Sequence, residues 1–369
     1  MKKREKIDSE ERFYTASQWQ LMWRKLRKHK LAIVGGIVLI TFYLIGLFCE
    51  FLATQDINKR SEFVHCPPQA IHFFDQEGRF YLRPFVYAIK ETIDSETWET
   101  IYTMDKSKRC PIHFLVHGDK YKLWNIFPSD IHLFGVKKPD VLFLFGTDNL
   151  GRDLFSRTLY AARISLSIGL VGIGLSFVLG CILGGISGYY GGRADMIIQR
   201  LVEFLTSIPT IPLWMALSAA LPSQWSPIKT YFAITIILSI TGWCGLARVV
   251  RGKFLELREE DFTMAAKVAG ASEGRIITRH LLPSFLSYLI VNLTLAIPSM
   301  ILGETALSFL GLGLRPPVVS WGVLLKEAQN FRSVALHPWL LIPALFVIIA
   351  VLAFNFLGDG LRDAADPYK

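Results

Sequence analysis

From residue 164 to residue 190 the chain runs through 27 residues without one Asp, Glu, Lys or Arg. A bilayer core about 30 Å thick is crossed by about 20 apolar residues in a helix. Lipid offers no hydrogen bonds, so such a run has to close its own backbone bonds, and a helix does that. The run also holds Gly169, Gly172, Gly174, Gly180, Gly184, Gly185 and Gly188. Small residues at such spacing let backbones approach closely in lipid, which predicts a helix at the centre of a bundle.

Five more segments carry the same signature: residues 31–49 (within a first span over 31–53), 204–221, 230–247, 284–303 and 336–358. Pro209 and Pro212 predict a bent helix in the third of the six. The expected fold is an all-α polytopic membrane protein with six transmembrane helices. With 51% hydrophobic and 19% charged residues, the composition excludes an ordinary soluble domain. A net charge of +9 raises nucleic acid as a partner, but the basic residues gather at the ends of apolar runs. That placement fits the positive-inside rule and membrane lipid, with no nucleic acid.

Residues 1–30 contain ten Lys and Arg and read as a cytoplasmic N-terminal segment. The apolar run after them is too long for a signal-peptide core and has no cleavage site. The loop at 222–229 has one basic residue, whereas 248–283 has Arg248, Arg251, Lys253, Arg258, Lys267, Arg275 and Arg279. Six crossings and this asymmetry put both termini and the 248–283 loop in the cytoplasm.

Residues 54–157 form an insertion after the first span, expected outside the cell as a small β-rich unit. Residues 71–74 and 79–81 read as a hairpin, and 112–117 as a strand closed by a turn at Gly118 and Asp119. Cys66 and Cys110 are its two cysteines; a disulfide and two free thiols both stay open. His113 and His117 would share a strand face, but without further ligands no metal site is expected.

The segment 259–285 is polar and lies between two spans. Asp261 is read as an N-cap and Gly270 as the left-handed residue after a short helix over 262–269. Phe262, Ala265, Ala266 and Ala269 recur at i, i+3, i+4 and i+7, so they share one narrow face suited to a groove on another protein. Ser272 is read as capping a second helix with Glu273 in its first turn, and Pro283 marks entry into the next span. A helix this short needs something packed on it. The rival reading, a helix lying on the bilayer surface, is disfavoured because alanines anchor poorly in lipid.

Ala265-Ala266, then Gly270, then nine residues and His280-Leu281-Leu282-Pro283 resemble the EAA loop of ABC-importer permease subunits. Met264 stands where that pattern has its Glu, and His280 where it has Ile; both resemble the dipeptide, oligopeptide and nickel branch. So do Phe145-Gly-Thr-Asp-Asn-Leu-Gly-Arg-Asp153 with Ala162-Arg-Ile-Ser-Leu166, Phe309-Leu-Gly-Leu-Gly-Leu-Arg-Pro-Pro317 with Ser320-Trp-Gly322, and Leu357-Gly-Asp-Gly-Leu-Arg-Asp363 with Asp366-Pro367. The long insertion is similar to that of C-type oligopeptide permease subunits.

The resemblance implies the type I ABC-importer permease fold, with a permease core over 158–369. It implies an importer of oligopeptides or dipeptides in the bacterial inner membrane. A homologous permease subunit, two ATPase subunits and an extracytoplasmic solute-binding protein would be its partners. It also implies that Asp261, Phe262, Met264, Ala265, Ala266, Ala269, Gly270, Ala271, Ser272, His280, Leu282 and Pro283 couple the chain to the ATPase. No P-loop pattern occurs in the sequence, so ATP and Mg would be held by the partners, with no cofactor and no catalysis in this chain.

The rival classes are a secondary transporter or channel and a membrane enzyme; within the branch, a nickel chelate or another small solute is the alternative cargo. Against a secondary transporter, Glu50, Glu203 and Glu304 sit at run edges without an evident membrane partner. Against an enzyme, Asp148, Arg152 and Asp153 read as tying a loop.

Overall fold

The computed structural model describes residues 18–93, 100–222 and 224–365. Most of the basic N-terminal segment and Asp366-Pro367 lie outside the described residues. Helix α1 (Gln18–Leu26) leads through a turn into α2 (Lys30–Leu47), whose N-terminus is capped by the His29 imidazole accepting the Ala32 N–H at 3.2 Å. A single further turn, Cys49–Leu52, ends the segment.

The insertion holds five strands: β1 (His72–Phe74), β2 (Phe80–Ile93), β3 (Thr100–Pro111), β4 (His113–Leu123) and β5 (Phe127–Gly135). The first three form an antiparallel sheet in sequence order, and β4 and β5 form a separate hairpin. Two strand expectations need correction. The second strand runs well past residue 81, and Gly118 and Asp119 lie inside β4 rather than closing it. The register slips between His117 and Tyr121, so an irregularity in the ladder absorbs the glycine.

The two thiols of the insertion are free and buried, against the disulfide alternative. Cys110 packs with Val86, Ile112 and Leu142. The Cys66 backbone N–H instead binds the Thr147 hydroxyl at 2.7 Å. Burial pushes the Cys66 thiol up to about 12 and the Cys110 thiol up to about 11, so both stay protonated at neutral pH.

The remaining chain is helical: α3 (Leu154–Tyr190), α4 (Gly192–Ser207), α5 (Thr210–Ala219), α6 (Pro227–Leu257), α7 (Asp261–Val268), α8 (Leu286–Phe309), α9 (Trp321–Leu325) and α10 (Ile342–Ala365). Among the described residues, five helical segments are long and apolar enough to cross a membrane: α2, α3, α6, α8 and the stretch Pro338–Ala365 that contains α10. The pair α4 and α5, bent by 85°, makes a sixth if it is one span. The bend falls at Pro209, which also starts α5 with φ −56°.

Helix α3 sits between α6 and α8, as its glycines require. A Cβ on Gly184 would lie 2.5 Å from the Ala247 carbonyl oxygen, and one on Gly188 2.7 Å from that of Arg251. One on Gly180 would lie 2.9 Å from Leu246 Cβ, so a stripe at i, i+4 and i+8 brings the two backbones together. On the other side Gly169 meets Ile301 and Ile297 of α8. Leu39, Phe42, Leu166, Leu238, Ile301 and Trp321 belong to the core these helices share.

Candidate functional site

The polar excursion between α6 and α8 is an elbow built from backbone geometry. The cap differs from the sequence reading. Glu260 takes the extended N-cap position, with φ −71° and ψ 150°, and makes no side-chain cap bond. Asp261 is the first helical residue, where its charge faces the positive end of the helix dipole. The helix therefore spans one residue earlier than expected. Thr263 is fully buried, and its hydroxyl donates to the Leu257 carbonyl at 2.8 Å, tying α7 to the end of α6.

Gly270 has φ +76°. Its N–H reaches the Lys267 carbonyl and the Ala271 N–H reaches the Ala266 carbonyl, both at 3.0 Å. This paired arrangement closes a helix with a left-handed residue, the conformation glycine adopts without steric cost. Ser272 then has an extended backbone at the N-cap position but makes no side-chain cap bond, and the second helix begins at Glu273 as expected, its first α-turn being Glu273–Arg275. A wide π-turn, Ile276–Leu281, follows. In a regular α-turn the Pro283 ring would meet the Arg279 carbonyl, so the chain loosens just before it.

The elbow has two faces, and they are not the ones periodicity alone selects. Ala266, Ala271, Ile276, Ile277, Leu281 and Leu282 turn inward against Val250 and Phe254 of α6 and Phe285 and Leu289 at the entry to α8. Phe262 (42% exposed), Met264 (45%) and Val268 (88%) turn outward. Ala265, Ala269, Gly270, Ser272 and Pro283 are also exposed, and His280 is half-buried. The face drawn from Phe262, Ala265, Ala266 and Ala269 is thus split, since Ala266 is half-buried in the elbow's own core. Val268 was missed because a valine beside alanines does not stand out; its place four residues after Met264 was the available signal.

Ion pairs fasten the elbow's root. The Arg251 guanidinium grips Asp195 with bonds of 2.5 and 2.6 Å, and Ser187 donates to the same carboxylate at 2.5 Å. Arg258 donates to the Gly188 carbonyl at 3.3 Å, and Tyr190 to Glu273 at 2.8 Å. The end of α3, the start of α4 and the root of the elbow are therefore one unit.

At the opposite end of the bundle, carboxylates without an evident partner in the sequence have partners in space. Glu304 is fully buried and accepts from Ser320 at 2.6 Å, Ser308 at 2.7 Å and Ser165 at 3.3 Å. Each serine oxygen in turn accepts a backbone N–H: Val323 onto Ser320, Leu314 onto Ser308, Trp321 onto Ser165. Glu50 pairs with Arg163 through bonds of 2.7 and 2.6 Å. With Glu203 accepting from Arg200 at 2.7 Å, these correct the expectation that the three glutamates lack a partner.

The 147–153 loop is tied in the same manner. Asp148 accepts the Arg152 guanidinium at 2.6 Å and the Leu150 and Arg152 N–H groups at 2.9 Å each. Asp153 caps α3 by accepting from Ser156 N–H at 2.9 Å and takes the Thr54 hydroxyl at 3.0 Å. Burial pushes the Asp153 carboxyl above its ordinary value. The polar groups of this loop named here bond backbone N–H groups or one another within the fold, which is a structural role. Among the described residues no group of His, Cys, Asp and Glu is placed to hold a metal ion.

A bundle of apolar helices with a polar elbow between two of them is the build of a multi-pass membrane protein. The chain belongs to the family of binding-protein-dependent transport system inner membrane components, whose pattern matches residues 176–368. Residues 17–68 match the N-terminal transmembrane domain of oligopeptide transport permease C. The oligopeptide transport system permease protein OppC of Bacillus subtilis is 40% identical over 248 residues, 67% of this chain and 77% of that protein. The dipeptide transport system permease protein DppC of the same organism is 32% identical over 353 residues, 95% of this chain and 86% of that protein. OppC of Haemophilus influenzae is 44% identical over 224 residues, 60% and 70% of the two chains.

Proposed function

We infer that this chain is a translocation-pathway subunit of an ATP-driven importer of oligopeptides or dipeptides. The observation that carries the coupling role is the elbow's division of labour. One face is fastened to α3, α4, α6 and α8, and the other leaves Phe262, Met264 and Val268 open. Family membership and relatives that transport peptides support the cargo.

In this reading the chain has the type I permease fold and pairs with a homologous subunit in the bacterial inner membrane, both termini cytoplasmic. The elbow sits in a cleft of one of two separate ATPase subunits, which hold ATP and Mg. Residues 1–30, 31–53, 54–157 and 158–369 divide the chain into cytoplasmic segment, first span, extracytoplasmic insertion and permease core. The insertion and the 307–335 loop meet a solute-binding protein outside. Closure of the ATPases pushes the 248–283 loop as a rigid body and switches the bundle between two arrangements.

The test is Val268→Asp in the assembled transporter. Val268 is 88% exposed, so the amount of chain in the membrane and its thermal unfolding should not change. Co-purification of the ATPase subunits and uptake of a labelled oligopeptide should both fall sharply, because a charge meets an apolar cleft. Normal co-purification would sink the coupling assignment, and normal assembly with no peptide uptake by the wild type would sink the cargo.

A further inference from the structure

The hairpin of β4 and β5 closes with an unusual residue at its tip. Leu123 and Phe127 form the last pair, and Trp124 and Asn125 follow with φ +53° and +60°. The Ile126 N–H bonds the Leu123 carbonyl at 3.0 Å across the turn. Asn is at home in such a turn, whereas a bulky aromatic there is an outlier. Backbone of that kind persists where its surroundings over-determine it.

Here the surroundings are the end of a span. The Trp124 indole N–H donates to the carbonyl of Leu47, the last residue of α2, at 2.8 Å. Its ring also lies 5.9 Å from that of Phe48. The tip is therefore pinned at the height where the apolar run of α2 ends. Trp124 (41% exposed), Ile126 (68%) and Phe127 (57%) remain open to the outside. Along α2, Ile37 (58%), Ile40 (62%), Leu44 (49%) and Leu47 (47%) recur at i, i+3, i+7 and i+10, an uncovered apolar stripe that ends at this tip.

We propose that Trp124, Ile126 and Phe127 form a lipid anchor, seated in the boundary between headgroups and acyl chains of the leaflet at that end of α2. The stripe on α2 is the lipid-facing flank of a span, and the tip continues it without a break. Tryptophan is the residue whose apolar ring and polar N–H suit this depth. Lys120 and Lys122, on the same end of the hairpin, line a polar recess of about 300 Å³ whose wall also carries Arg163, Glu50, Asp56 and Asp119, so a charge-balanced polar region adjoins the apolar tip. The anchor fixes the hairpin to the membrane surface, so this part of the insertion cannot swing free.

The test uses the full-length chain in vesicles of phosphatidylethanolamine and phosphatidylglycerol, in a Cys181→Ser background because the other native thiols are buried. A nitroxide is placed on Ile126→Cys, and separately on Phe127→Cys, with Ser107→Cys in β3 as the exposed reference. Collisions with oxygen, which enters lipid, are compared with collisions with a water-soluble nickel complex. The anchor predicts an oxygen-to-nickel ratio several-fold higher at 126 and 127 than at 107. Equal ratios at all three positions would place the tip in water and overturn the proposal. Protection of 126 and 127 from both reagents would show a protein surface on the tip, which also overturns it.

Discussion

The two ends of the helical bundle are held by different chemistry. At the end near Glu304, side-chain bonds join residues far apart in sequence: Trp339 to Thr147, Trp321 to Thr158, Ser165 to Glu304, Thr54 to Asp153. At the elbow the long-range side-chain bonds gather at its root, Arg251 to Asp195, Arg258 to Gly188 and Tyr190 to Glu273, whereas the outward Phe262, Met264 and Val268 are apolar and the Gly270 end closes with local backbone bonds. Buried side-chain networks fix one arrangement because leaving any member unpaired is costly. A backbone-closed helix on an apolar bed can instead be displaced as a unit with little change in its own bonding. One end is thus closed by a buried polar network, and the other rests mainly on an apolar bed.

The largest expected effect breaks the rigid end. Glu304→Ala leaves three buried serines without their acceptor and should cost about 3 kcal/mol, read as a lower midpoint of thermal unfolding in detergent. Glu304→Gln keeps an acceptor and should cost about 1 kcal/mol. Equal stability of the alanine variant would mean that the network is ornamental and the contrast false.

The next effect sharpens the elbow. Nothing lies within 4 Å of a Cβ built on Gly270, so substitution there meets no neighbour and acts through φ alone. Gly270→Leu should cost about 1–2 kcal/mol and lower transport-coupled ATP hydrolysis, with Gly270→Asn milder in both assays. Loss of coupling with unchanged local protection in hydrogen exchange would show that the leucine side chain, not the backbone, does the damage.

The smallest effect concerns the insertion. Burial pushes the Asp119 carboxyl up, but hydrogen bonds from Lys59 and Lys138 outweigh it and its pKa ends below the ordinary value. A depressed carboxylate stabilises the fold above its unfolded pKa of about 3.9 and loses that share as pH falls through the folded value. Exchange protection in β4 should therefore weaken below about pH 4 in the wild type. The Asp119→Asn variant should be weaker throughout and flat across that window.

What could be read from the sequence follows the same divide. Spans, the proline bend and the left-handed Gly270 are written in neighbouring residues, so local pattern finds them. The partners of Glu304 are not. Ser308 lies one turn away, but Ser165 and Ser320 reach it only through the fold. The strand through Gly118 and the cap at Glu260 were misread for a related reason. Gly and Asp are the ordinary signals of a turn and a cap, and packing overrode both. Cys66 and Cys110 illustrate the limit, since spacing says nothing about the separate surroundings that keep them as free thiols.

The glycine stripe of α3 has a mechanical consequence. Gly184 and Gly188 meet the α6 backbone at Ala247 and Arg251 directly and Gly180 meets the Leu246 side chain, so little side-chain material between the two helices is left to compress. A rod of 37 residues, about 55 Å long, is thus keyed to the arm that carries the elbow. Under the proposed coupling role, a push on that arm is expected to carry α3 with it.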